Sequence, residues 1–305
     1  MKSPAYSQFF EAVPVRDHIM QILGQGGELC YLIEGTERAV LIDGLVGAGS
    51  LKNYVREMTD LPVTLILTHG HLDHTGAAWE YGSCYIHPDD IALLYSPRHC
   101  SVKSRFEFAR MEGTLCTHQA DSLCEADIIP PVPVMTYPLY DGDQIDLGGL
   151  TLEAVGVPGH TFGTLVFLDC RDRILFSGDA CNINTLLGMP GCAPIETYLD
   201  SLHHLKTFEA EYDVMYGGHG RNTVDKSIVD DAIAICERIL AGTDDAEPAV
   251  SMDGTPVFYG SAHLPNYMPA CGGLANIQYS KDNLLRSQAK KYLPEDTPVI
   301  PGRKK

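Results

Sequence analysis

Positive charge is scarce in this chain. Twenty-two lysines and arginines stand against forty aspartates and glutamates, a formal balance of −18. A polyphosphate backbone or an anionic membrane surface needs clustered cations, and an excess of this sign repels both. Nucleic acid and membrane are therefore not expected as partners. Metal cations and neutral or cationic small molecules suit the charge better. Long apolar runs are also missing, and none approaches the length of a membrane span. The opening stretch MKSPAYSQFFEAVPV has no continuous apolar segment and no small-residue cleavage pattern, so no signal peptide is expected. The third absence is the Cys-x-x-Cys pair. Ten cysteines are scattered along the chain without one. They read as reduced, mostly buried thiols, and the expected address is cytoplasmic.

What is present is an ordinary globular composition, 45% apolar and 20% charged, in a chain of 305 residues that can bury a large core. Short apolar runs at 28–35 and 38–44 predict a hairpin, and 62–68 and 83–87 predict two buried strands. Leu51, Val55 and Met58 share one face of a predicted helix. Pro88 with Asp89 and Asp90 opens another, since proline and acids favour a first turn. A partly helical insertion is expected at about 97–140, returning to the sheet near Ile145. Strands resume at 150–157, 164–169 and 173–179. A helix through Leu199, Leu202, Leu205 and Phe208 follows, then a strand at 213–218. The last predicted helix runs from Ile228 to Ile239 and is closed by Gly242. The pattern divides the chain into a body, 1–250, and an extension, 251–305, whose Gly-, Pro- and aromatic-rich start shows no period. Mixed strands with outer helices predict an α/β architecture of two sheets packed face to face.

The chemistry concentrates in LILTHGHLDHTGAA, residues 65–78. Alternate side chains of an extended segment share a face, so His69 and His71 can point to one place. Gly70 between them lets the chain turn closely. Asp73 and His74, a turn further on, reach a neighbouring place. Imidazole and carboxylate are usual ligands of zinc, iron and manganese. Four such groups in six residues begin two adjacent metal sites without completing either. Three strand ends supply more: His160 in VPGHTFGT, Asp179 in LFSGDA and His219 in MYGGHG, each beside glycine.

In this order HGHLDH, PGHT, SGDA and GGHG resemble the metallo-β-lactamase-fold hydrolase superfamily, over roughly residues 25–225. The resemblance implies an αββα sandwich of two mixed β-sheets flanked by helices, with a two-metal site at one edge. It implies that His69, His71 and His160 hold one divalent ion and that Asp73, His74 and His219 hold the other. Asp179 would bridge them. Zinc is the first expectation, with iron or manganese as alternatives. The bridging Asp179 is similar to the glyoxalase II and lactonase branches, and it argues against β-lactam hydrolysis. Asp43 in LIDG would support the ligands from behind.

Such a pair of ions makes a shared hydroxide available at neutral pH and polarises a carbonyl, so the expected reaction is hydrolysis of an ester, thioester or lactone of a small molecule. Asp73 and Asp179 are the expected catalytic carboxylates, Asp73 orienting the nucleophile or carrying a proton. The alternative is a mononuclear iron enzyme of the sulfur dioxygenase kind; a nuclease fits the charge less well. His99, Cys100, Cys116, His118 and Cys124 match no standard zinc spacing. Tyr198 and Tyr216 are core or surface residues in preference to oxyanion donors. The segment Val257–Tyr279 has the composition of a pocket wall, and it is expected either to cover the metal edge or to pack on the flank. Its first candidates for substrate contact are His263 and Tyr267. The oligomeric state is left open, a homo-oligomer included.

Overall fold

The computed structural model describes residues 1–3, 7–116, 122–220, 223–251, 254–270 and 272–291. The chain starts with an antiparallel meander, β1 (Glu11–Arg16), β2 (Ile19–Leu23), β3 (Leu29–Glu34) and β4 (Ala39–Ile42). Helix α1 (Leu51–Met58) then carries it over to β5 (Val63–Ile66), parallel to β4. The short α2 (Ala78–Tyr81) leads to β6 (Ser83–Ile86). The insertion holds α3 (Ile91–Leu94), α4 (Pro97–Cys100) and α5 (Val102–Cys116), and ends in β7 (Met135–Pro138). These seven strands form one sheet in chain order.

The second sheet holds β8 (Gln144–Asp146), β9 (Thr151–Gly156), β10 (Leu165–Asp169) and β11 (Ile174–Gly178). After β12 (Thr185–Leu187) and α6 (Ile195–Lys206), β13 (Val214–Gly217) joins it at the edge, parallel to β11. Helix α7 (Ile228–Ala241) follows. The tail forms β14 (Glu247–Val250), β15 (Pro256–Tyr259) and β16 (Ile277–Tyr279), which make a third sheet with β12.

Side-chain alternation places the layers. In β3, Tyr31 and Ile33 face Phe167 and Phe176 of the second sheet, while Cys30 and Leu32 face Val55 and Met58 of α1. Val155, Val166 and Leu175 on the far face of the second sheet pack under Leu202 of α6 and Ile235 of α7. Both faces of the inner strands β3, β4, β10 and β11 are thus covered, which explains why they read as continuous apolar runs. The architecture is the expected α/β sandwich of helix, two mixed sheets and helix. Among the described residues, no helix is long and apolar enough to cross a membrane.

Three parts of the chain differ from the sequence reading. β1 and β2 were not expected; β1 is half-exposed at the sheet edge and its apolar signal is weak. The insertion rejoins a sheet at Met135, earlier than Ile145, by pairing in parallel with β6. The aperiodic tail contains strands of three or four residues, too short to show alternation. Its Ala275, Ile277 and Tyr279 are buried in the cluster beneath α6 and α7, so this part packs on the sandwich flank.

The loops after β4, β5, β11 and β13 all leave parallel strand ends on one edge of the sandwich. Asp43 and Asp179 follow those ends directly, and Thr68, His69 and His219 come shortly after them.

Candidate metal centre

The seven sequence-derived residues fall into two groups. Candidate ligand atoms of His69, His71 and His160 lie within 4.8 Å of one another, and so do those of Asp73, His74, Asp179 and His219. Asp179 stands between the groups. Its Oδ2 is 3.6 Å from His160 Nε2 on one side, and 3.6 Å from His74 Nε2 and 3.4 Å from His219 Nε2 on the other. Asp73 Oδ2 lies 3.2 Å from His219 Nε2 and 3.4 Å from His74 Nε2.

Hydrogen bonds behind the cluster decide which ring nitrogens face it. Asp43 leaves β4 with a left-handed backbone (φ 66°) that turns its carboxylate toward β5. It accepts from Thr68 N at 2.7 Å, from Thr68 Oγ1 at 2.8 Å and from His74 Nδ1 at 2.9 Å. Because the Thr68 hydroxyl donates to Asp43, it accepts from His69 Nδ1 at 2.9 Å. His160 Nδ1 donates to the Leu186 carbonyl at 2.8 Å. All three rings therefore carry a proton on Nδ1 and turn Nε2 inward. Asp43 thus contacts His74 directly and His69 through the Thr68 hydroxyl.

A second carboxylate ties the loops together. Asp90 is buried and accepts from Gly70 N at 2.8 Å, Gly163 N at 2.8 Å and Thr161 Oγ1 at 2.6 Å. It joins the HGH loop to the PGHTFG loop. Burial pushes its carboxyl up to about 6 against the pull of those donors. Sequence reading placed Asp90 only as a first-turn acid. Its partners are 20 and more residues away, and no local signal separates it from Asp89. His99 was considered only with Cys100, Cys116, His118 and Cys124, and its contact with His71 was not expected. It donates from Nδ1 to the Leu93 carbonyl at 2.8 Å and sets its ring edge-on to His71, 5.4 Å between centroids.

Glycine is required where the cluster is tightest. A Cβ at Gly218 would stand 2.5 Å from Asp179 Oδ1 and 2.7 Å from His74 Cε1. At Gly70 it would meet the Asp90 carbonyl oxygen at 2.7 Å.

The donor set fits divalent ions. The Nε2 atoms of His69 and His74 and Oδ1 of Asp179 are buried without a hydrogen-bond partner, a costly state for polar atoms. His71 Nδ1 and His160 Nε2 face each other at 2.8 Å. Two imidazole lone pairs cannot approach so closely without a proton or a cation between them. Burial, then the neighbouring imidazoles, holds His69 and His71 well below the usual histidine range, and burial lowers His160 too. These rings are neutral and ready to ligate. In His74 and His219 burial also opposes charge, but the adjacent carboxylates outweigh it. Asp73 and Asp179 raise both well above the ordinary value.

The remaining candidates lie elsewhere. Tyr198 is buried and donates to the Ala180 carbonyl at 2.7 Å; Tyr216 packs on Phe176 and Tyr31. Cys100 Sγ points to the Leu94 carbonyl and Cys124 Sγ to Asp127, so they do not converge with His99. His118, Cys271 and the side chain of Cys116 lie outside the described residues. Of the described free cysteines five are buried, as expected for structural thiols. His263 pairs with Glu247 at 2.8 Å, and its ring stacks on Tyr267 at 5.6 Å and lies against Tyr259 at 4.3 Å. The structure does not bring His263 or Tyr267 into the ligand groups.

A family model described as "Metallo-beta-lactamase superfamily" matches residues 23–219, which contain all seven clustered side chains. The chain belongs to the metallo-beta-lactamase superfamily. Among similar proteins is the uncharacterized Rv2581c of Mycobacterium tuberculosis, 27% identical over 212 residues, 64% of this chain and 86% of that one. Another is the human acyl-coenzyme A thioesterase MBLAC2, 25% identical over 187 residues, 57% of this chain and 66% of that one. Of solved structures, the DIM-1 metallo-beta-lactamase overlays with a TM-score of 0.54 at 16% identity, covering 76% of this chain and 98% of that chain. A metallo-beta-lactamase from Pontibacter korlensis gives 0.52 at 17%, covering 75% and 99%. At these identities the overlays speak for the fold of this superfamily member, and the site must be argued from its own residues.

Proposed function

We propose that this chain is a dinuclear metal-dependent hydrolase that cleaves an acyl bond of a small substrate, with thioesters the first class to test. The observation that carries the dinuclear part is the place of Asp179, whose single carboxylate lies within 3.6 Å of a histidine from each group. His69, His71 and His160 would hold one ion, Asp73, His74 and His219 the other, and Asp179 both. A mixed imidazole and carboxylate set suits zinc, iron or manganese, zinc first.

When bound, two such ions supply Lewis acidity for an acyl carbonyl and a nucleophile from water at neutral pH. The chain's own residues do the rest. Asp43 and Thr68 keep His69 and His74 in the tautomer that presents Nε2. The Leu186 carbonyl does the same for His160. Asp90 fixes the spacing between the two loops that carry His71 and His160. Asp73, buried beside His219, is placed to orient the attacking group or take its proton.

The thioester preference rests on the acyl-coenzyme A thioesterases among the similar proteins. A mononuclear iron site of two histidines and a carboxylate would employ Asp179 but leave Asp73, His74 and His219 without a task. The test is a panel of ester, thioester and lactone substrates, run on protein loaded with one metal at a time. Hydrolysis that depends on the loaded ion, strongest for a thioester, is expected. Oxygen consumption with a persulfide and no hydrolysis of any panel member would overturn the proposal.

A further inference from the structure

A cavity of about 370 Å³ lies between the loop after β12 and the C-terminal segment. Gly188 and Met189 form one wall, and Ser280, Asn283, Lys290 and Lys291 line the other. We propose that this cavity takes the phosphate-bearing part of the substrate's thioester carrier. This inference rests on the thioester reading above.

Two connections join the cavity to the metal edge. The Leu186 carbonyl, two residues before Gly188, accepts the Nδ1 proton of His160. Lys291 reaches back over Phe162, two residues after His160, at 5.2 Å from the ring centroid, and its Nζ bonds Asp89 Oδ2 at 2.7 Å. A carrier lying in the cavity thus has its acyl end directed along the His160 loop.

The charge is local and against the trend of the molecule. The chain carries −18 overall, yet residues 281–291 hold Lys281, Arg286, Lys290 and Lys291 against Asp282 alone. Of the two lining lysines, Lys291 is engaged by Asp89, while the exposed ammonium of Lys290 is the one placed to meet a phosphate. Ser280 adds a neutral hydroxyl, while the Asn283 amide donates to the Cys192 carbonyl at 3.0 Å. Asp282 also lines the cavity, and its carboxylate opposes an anion. With Lys291 paired to Asp89 and Asp282 opposing an anion, Lys290 is the cation that the cavity offers a phosphoryl group. Acyl-coenzyme A and acyl-phosphopantetheine share this chemistry; acyl-pantetheine has the same thioester without phosphate.

The test compares the metal-loaded wild type with Lys290→Glu and Lys290→Arg on acyl-coenzyme A, acyl-phosphopantetheine and acyl-pantetheine. Free coenzyme A is titrated by calorimetry in parallel. The wild type is expected to show a KM about tenfold lower for the phosphorylated carriers, as one charge-assisted contact supports. In Lys290→Glu that ratio falls towards one, and Lys290→Arg restores it. An equal preference for both phosphorylated carriers places a single phosphate in the cavity; a preference for coenzyme A alone assigns the nucleotide end to it. Equal KM values for all three carriers in the wild type would overturn the inference while leaving the thioesterase reading intact. If no thioester is cleaved but coenzyme A binds and Lys290→Glu abolishes that binding, the cavity assignment stands and the reaction is wrong.

Discussion

The carboxylate of Asp90 accepts the backbone N–H of Gly70 at 2.8 Å. One side chain thereby holds the peptide between two candidate ligands, His69 and His71. The same carboxylate holds Gly163, three residues beyond His160. Asp90→Ala would leave two buried N–H groups and the Thr161 hydroxyl without their acceptor. A loss of about 3 kcal/mol in unfolding free energy is expected, together with weaker metal binding. Urea titration of wild type and variant measures the first, and competition with a chelator the second. A loss below about 0.5 kcal/mol would show that the loops keep their spacing unaided.

Asp43 acts on the metal edge from behind the ligands. Asn is the informative replacement, because it tolerates the left-handed backbone at this position. Its one oxygen replaces two, so its NH2 group would face either Thr68 N or the Thr68 Oγ1 and His74 Nδ1 donors. Metal affinity is expected to fall about 10–100-fold with the far-UV circular dichroism spectrum unchanged. Unchanged affinity would remove Asp43 from the centre.

Protons must leave before the second group can bind metal. Without an ion, His74 and His219 hold their protons above the ordinary histidine range because of Asp73 and Asp179. A raised value means that the protonated form competes with metal, so affinity falls as pH drops and rises as these rings are deprotonated. Titration of zinc in two buffers of different ionisation enthalpy, near pH 7, is expected to show net proton release. Heat that is the same in both buffers would contradict this charge assignment.

How far the sequence carried these conclusions depends on the distance over which each signal acts. His69, His71, Asp73 and His74 were legible because strand and turn geometry brings them together within six residues. His160, Asp179 and His219 were legible only through motif order. Periodicity located most of the covered strands and helices α6 and α7, since burial on one or two faces writes itself into the local pattern, but it did not resolve β2 or α5. Asp90, His99 and Thr68 were not legible. Their roles are contacts to residues brought near by the fold, and an acid in a helical first turn looks the same whether or not it holds a distant loop. The tail strands β14–β16 are too short for alternation, and β16 pairs with β12, in which Thr185 lies opposite the distant Ile277.

The tail residues His263 and Tyr267 remain candidates for substrate contact through their stacked rings. Replacing each by Ala on the metal-loaded protein tests this. If they touch substrate, KM or kcat is expected to worsen several-fold with metal content unchanged, because the ligand groups lie elsewhere. Wild-type kinetics in both variants would assign the pair to packing around Tyr259 and Glu247.

The central claim is that Asp179 makes one dinuclear centre out of two groups of ligands. Native mass spectrometry of zinc-reconstituted wild type and Asp179→Ala, with hydrolysis of the best panel substrate measured on the same samples, tests it most directly. Two ions per wild-type chain are expected, with a folded variant that loses at least one ion and is reduced about 100-fold or more in kcat. At most one ion in the wild type, or wild-type turnover in Asp179→Ala, would contradict it.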